Sequence, residues 1–287
     1  VGVAMDDAGD FVVAWGGEYV AGPQIWHDAV FAQRYSAAGV AQGSRLVLAE
    51  NADGIDYESV DAAMDADGNF VVTWAHPSVQ NGPRTIFART YDASGTATSS
   101  AFEVEVANSA QVGMDSAGNF VVAYKRNTEE QLYVRRYDSA AEPIGNPIRV
   151  SDPRYENSTP MIDVDEYGNF LLAWNQYGAK DLVVGRSYNA DGTPVSAQFT
   201  IIQDPGIEHG VHDFMSLALD SHGYGAVVWV QGYYEQTEGG PGGQVVQSEY
   251  TDVYVRCFTP AGKMTGPATK VTTETQFQYG AAVAMGP

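Results

Sequence analysis

One segment of thirteen residues occurs five times along this chain. A sequence that returns at such an interval builds one supersecondary unit repeatedly, and that fixes the architecture before any single residue is considered. Aligned on an aspartate, the copies read VAMDDAGDFVVAW from Val3, AAMDADGNFVVTW from Ala62, VGMDSAGNFVVAY from Val112, IDVDEYGNFLLAW from Ile162 and LALDSHGYGAVVW from Leu217. The aspartates are Asp6, Asp65, Asp115, Asp165 and Asp220, separated by 59, 50, 50 and 55 residues. Nine residues after each comes Trp15, Trp74, Tyr124, Trp174 or Trp229, so this half of the repeat has constant length and the variation lies elsewhere.

Each segment divides into two apolar runs around D-x-x-G, the composition of a tight hairpin turn. Gly9, Gly68, Gly118, Gly168 and Gly223 supply the positive φ, and the aspartate carboxylate accepts N–H groups inside the turn. A third strand follows, ending FAQRY at Tyr35, FARTY at Tyr91, YVRRY at Tyr137, VGRSY at Tyr188 and YVRCF at Phe258. A second turn comes next, with Gly39, Gly95, Gly192 and Gly262 in four copies and Ala141 in the third. Runs such as Phe102 to Val106, Ile148 to Val150 and Phe199 to Ile202 supply a fourth strand. No helical period occurs. The second strand is apolar at nearly every position, as from Phe11 to Trp15, so both its faces must be covered. A sandwich would leave one face wet, whereas the blade of a β-propeller stacks on two neighbours. The expected fold is therefore an all-β propeller of four-stranded antiparallel blades in a single domain over 1–287, with five repeats visible at about 1–50, 60–107, 110–151, 160–203 and 214–272. Residues 281–287 begin like another first strand, since Ala281 to Met285 repeats Val1 to Met5. That segment is either a tail or the opening of a further blade in a longer array.

Asp and Glu outnumber Lys and Arg by 36 to 15, a formal charge of −21 that repels nucleic acid and anionic membranes. The single cysteine, Cys257, excludes an internal disulfide and a cysteine zinc site. No apolar run is long enough for a membrane-spanning helix, and any signal peptide is expected to have been removed.

The pattern V-A-M-D-x-x-G-N-F-V-V-A-W followed by V-Y-x-R-x-Y-D-x-x-G resembles the repeats strung along large secreted or cell-surface bacterial proteins. The resemblance covers nearly the whole chain and implies an extracellular repeat or propeller module. It brings no agreed catalytic residues with it. A five-bladed ring is also similar in architecture to furanosidase-type glycoside hydrolases and to one group of animal lectins. The sialidase Asp-box S-x-D-x-G-x-x-W differs from the D-x-x-G-N-F turn in spacing and in its serine.

Asp65, Asp67 and Asn69 imitate the opening of a calcium loop, but no bidentate acid follows, so turn capping is the expected role of the aspartate column, with weak surface calcium as the alternative and no other cofactor. Arg89, Arg135, Arg186 and Arg256 share one position of the third strand, where the first copy has Gln33. Aromatic neighbours on the same face point to packed stems whose heads bond neighbouring carbonyls or carboxylates. The connections between strands two and three, and between blades, vary and emerge on one face, where binding concentrates. They contain Trp26, His27, Tyr57, His76, His209, His212, Tyr233 and Tyr234, a set of rings and imidazoles suited to sugar or polypeptide ligands. Glu208, His209, His212 and Asp213 could supply metal ligands, while Asp61, Asp163 and Asp213 are the acids expected near the axis. The sequence thus leads to a non-catalytic extracellular binding or scaffold module that presents its loop-rich face to a glycan or protein. The alternatives are a glycan-active hydrolase with axial carboxylates and a self-assembling surface subunit.

Overall fold

A computed structural model of the chain describes residues 1–22, 25–51, 55–77, 79, 82–178, 182–203, 215–238, 245–273 and 281–285, and the side chains of these except 21, 25, 203, 232–238 and 245–250. They form five antiparallel sheets in sequence order. Blade 1 contains Gly2–Met5, Phe11–Gly22, Ile25–Tyr35 and Ala41–Asn51; blade 2 contains Glu58–Met64, Phe70–Pro77, Arg84–Tyr91 and Phe102–Glu105. Blade 3 contains Ala107–Met114, Phe120–Arg126, Leu132–Tyr137 and Ile148–Arg149. Blade 4 contains Met161–Val164, Phe170–Tyr177, Leu182–Tyr188 and Phe199–Gln203, with a short additional strand, Glu156–Asn157, beside the second. Blade 5 contains Ser216–Leu219, Gly225–Glu238, Val245–Phe258 and Thr269–Lys270. The chain is an all-β propeller, and no helix among the described residues is long and apolar enough to cross a membrane.

The repeated residues build the turns and the interfaces. In every blade the turn aspartate's Oδ1 accepts the N–H groups two and four residues on, at 2.8–3.0 Å. Across strands two and three, Phe70 stacks on Tyr91, Phe120 on Tyr137 and Phe170 on Tyr188, with ring centroids 4.8–4.9 Å apart. Alternate residues of strand two serve two different neighbours. Val12 and Ala14 of blade 1 pack against Phe70, Val72 and Trp74 of blade 2. The same arrangement recurs between blades 2 and 3, 3 and 4, and 4 and 5. Burial of a side chain of this size contributes about 1.5–3 kcal/mol, so these faces dominate the stability.

The arginine column links the blades. Arg89 Nη1 donates to Leu48 O at 3.3 Å, Arg135 to Val104 O at 3.0 Å and Arg186 to Val150 O at 3.4 Å, and Arg256 donates likewise to Ile201 O. Each guanidinium thus holds the fourth strand of the preceding blade. Arg89, Arg135 and Arg186 also lie over Tyr91, Tyr137 and Tyr188, 5.3–5.7 Å from the ring centroids.

Two connections between strands two and three that the sequence places in loops are extended as strand over their described residues, 16–22 with 25–28 in blade 1 and 230–238 with 245–252 in blade 5. Blade 1 continues pairing from Gly16 with Val30 to Gly22 with Ile25, and blade 5 from Val230 with Val253 to Glu238 with Val245. A hairpin arm leaving the sheet satisfies its own N–H and C=O groups across the ladder, which an irregular loop of that length cannot do.

Candidate functional site

The first strands of the five blades surround a central channel together with Val283, Ala284 and Met285. Its waist is formed by the residue preceding each turn aspartate, namely Met5, Met64, Met114, Val164 and Leu219, and by Met285. On one side of the waist lies a cavity of about 500 Å³ whose polar lining includes Asp61, Gln111, Asp163 and Ser216. On the other side, the mouth is lined by the turn aspartates Asp6, Asp65, Asp115, Asp165 and Asp220. Their Oδ1 atoms are engaged by the backbone of their own turns.

Asp61 and Asp163 are bonded in the same manner in blades 2 and 4, although Asp61 pairs with Thr73 and Asp163 with Leu171, at different positions of the first strand. Inner strands of neighbouring blades diverge and do not share a ladder, which leaves N–H groups facing the gap. Asp61 accepts the N–H of Ala62 in its own strand and that of Val112 in the next blade, the latter at 3.0 Å. Asp163 accepts from Val164 at 2.9 Å and from Leu219 of the next blade at 2.7 Å. Burial pushes both carboxyls above the ordinary range, Asp163 to about 6, against the lowering effect of these N–H groups. A carboxyl that carries a proton into the range of pH 6, beside a cavity of this size, is equipped for proton donation. The third acid expected on the axis, Asp213, lies outside the described residues.

A second concentration of chemistry surrounds the arm of blade 1. Glu18 and Asp28 are direct cross-strand partners, and with Asp56 they bring carboxylate oxygens within 4.8 Å of one another. Like charges placed opposite one another are unfavourable without a counter-ion or a proton, and this oxygen-only donor set is of the kind that hard divalent cations take. This group is not legible in the sequence, where residues 16–28 read as a loop; only the cross-strand pairing sets Glu18 opposite Asp28. Trp26 is 60% exposed and pairs with Val20, on the same face of the arm as the acids. His27 projects from the opposite face, where its ring meets Tyr19 at 5.7 Å, and Tyr19 in turn donates to Glu50. Tyr57 and His76 come together with centroids 4.5 Å apart, and Asn51 Nδ2 lies 2.9 Å from His76 Nε2.

Four of the ring and imidazole residues singled out from the sequence therefore lie around blades 1 and 2, but as the pair Tyr57 and His76, a His27 set against Tyr19, and the exposed indole of Trp26, rather than as one continuous surface. His209 and His212, with Glu208, lie outside the described residues. Tyr233 and Tyr234 are in the arm of blade 5, where they pair with Tyr250 and Glu249, and only their backbone is described.

A propeller with a carboxylate-bearing axial cavity is thus the class that the fold and site define. No protein-family model and no curated protein matches the sequence. Among solved structures, a Dyadobacter fermentans protein of unknown function is similar with a TM-score of 0.57 at 10% identity, over 96% of this chain and 82% of that one. A Penicillium chrysogenum α-L-arabinanase complexed with arabinobiose gives 0.51 at 10% identity, covering 98% of this chain and 83% of its own. A putative exo-β-1,3-galactanase from Bifidobacterium bifidum gives 0.51 at 12% identity, covering 96% and 91%. At these identities the likeness is one of fold.

Proposed function

We propose that the protein is an extracellular glycan-active hydrolase whose reaction centre is the axial cavity. The observation that carries this reading is Asp163, a carboxyl raised to about 6 that blade 4 contributes to the lining of that cavity, with a second raised carboxyl, Asp61, contributed by blade 2. Glycoside hydrolysis commonly uses two carboxyl groups, one that protonates the leaving oxygen and one that acts on the opposite side. Asp163 suits the first role because burial keeps its proton on at mildly acidic pH. Asp61 is assigned the second. Glycan-acting proteins such as the arabinanase and the putative galactanase share the fold, which favours this reading over the non-catalytic module expected from the sequence.

The test is release of reducing sugar from arabinans, β-1,3-galactans and sialylated glycans by intact protein and by Asp163→Asn and Asp61→Asn. Turnover is expected below about pH 6 and is expected to decline as Asp163 ionises. Both variants should lose it while retaining glycan binding.

The exposed Trp26 beside the carboxylates of the blade 1 arm supports a second reading, a non-catalytic binding surface. Trp26→Ala would then abolish binding on a glycan array, in buffer with or without calcium, and the aspartate variants would leave it unchanged.

A further inference from the structure

Four interfaces between consecutive blades share one set of contacts, and the junction of blade 5 with blade 1 lacks it among the described residues. A Cβ placed on Gly68, Gly118, Gly168 or Gly223 would lie 3.0–3.2 Å from Oδ2 of the preceding blade's turn aspartate, whereas one on Gly9 would meet only Ala37 of its own blade. At the arginine position blade 1 carries Gln33, whose Nε2 donates to Arg34 O, Gln42 O and Gly43 O without leaving the blade. The carbonyls that accept the arginines belong to Leu48, Val104, Val150 and Ile201, all buried; the corresponding residue of blade 5, Val271, is 55% exposed.

The two walls of this junction are apolar and complementary in kind to the faces buried elsewhere. Phe70, Val72 and Trp74 of blade 2 are buried by blade 1, but their counterparts Phe11, Val13 and Trp15 are only half-buried. On the same face of blade 1, Val1, Val3 and Met5 are exposed. On blade 5, the inner residues Ala226, Val228 and Val230 are buried, while Val253 and Val255, on the same face, are half-buried and Cys257 is exposed. The inner end of the junction is occupied by Val283 to Met285, and Val283 N donates to Ser216 Oγ at 3.2 Å. Met285 supplies the sixth residue of the channel waist.

We infer that this junction is a docking slot for strands two to four of one further blade of the same repeat, with Ala281–Met285 as the innermost strand of that blade. Such a unit presents the aromatic face that blade 5 requires and the small aliphatic face that blade 1 requires. A second copy packed through its own blade 1 would cover one wall and leave the other open, so the repeat unit is the occupant that fits both. Its third-strand arginine would donate to Val271 O, and its turn glycine would sit under Asp220.

Cys257, the single thiol of the chain, reports on the slot. The experiment joins a second copy of residues 65–105 directly after Met285 of the otherwise complete chain and follows the reaction of Cys257 with Ellman's reagent. In the extended protein the reaction should slow by about tenfold or more, since thiol reactivity follows exposure. The copied segment should also resist protease. Val271→Asp should restore rapid reaction in the extended protein and leave the unextended protein unchanged. Equal rates with and without the extension, or protection that survives Val271→Asp, would overturn the inference. A dimer of the unextended chain with Cys257 already protected would overturn it in favour of self-association.

Discussion

Ala141 stands where four other blades have Gly39, Gly95, Gly192 and Gly262, and it adopts their left-handed backbone, with φ of 63°. A Cβ in that region crowds the carbonyl oxygen, a cost that exceeds the extra chain entropy of glycine. Ala141→Gly is therefore expected to raise stability by about 0.5–1 kcal/mol in urea denaturation. Asp163 has the opposite relation to its environment. Its native value of about 6 lies above the unperturbed 3.8, so between these the native state binds more protons than the unfolded state. Its stabilising contribution is complete below about pH 4 and is lost as pH rises through about 6, by an amount of order 3 kcal/mol. Asp61 acts in the same direction. Asp152, lowered to about 2 chiefly by its bond with Arg154, and Asp92 and Asp191, lowered chiefly by hydroxyl donors, act only at lower pH, where stability falls as they are protonated. Denaturation midpoints measured between pH 4 and 7 should thus decline, and Asp163→Asn should flatten that decline. An unchanged slope in the variant would contradict the buried-carboxyl assignment.

At the scale of elements, the arginine column contributes by bonding each of blades 2 to 5 to a carbonyl of the preceding blade. Arg135→Ala removes a bond to Val104 O and a cation held over Tyr137, and should cost about 1.5–3 kcal/mol in urea denaturation. Gln33→Ala, which breaks only contacts within blade 1, should cost less than Arg135→Ala. The hairpins were legible in the sequence because an invariant D-x-x-G with constant flanking length admits few geometries, and the arginine role was legible from its aromatic neighbours. The arms were not. Gly16, Gly17, Gly22 and Pro23 within the run read as loop composition, and the cross-strand pairing that keeps it extended is not visible from one strand alone. The carboxylate group of Glu18, Asp28 and Asp56 was hidden for the same reason.

At the scale of the whole molecule, the periodic aspartates gave the blade and its phase, but the contacts that distinguish one junction from the other four arise only when the blades are placed in order. Val271 and Leu48 occupy the same position of their repeats, yet one is 55% exposed and the other 4%, a difference set by what stands beside each blade. The axial acids were visible as acids on first strands. Their proximity to the cavity and their raised values depend on how neighbouring inner strands diverge, which no local pattern encodes. The most direct measurement is reducing-sugar release from the glycan panel at pH 5 and pH 7, comparing intact protein with Asp163→Asn and Asp61→Asn of unchanged circular dichroism. Release at pH 5 that weakens at pH 7 and is lost in both variants is the expected result; no release by intact protein, or release undiminished in the variants, would contradict an axial reaction centre.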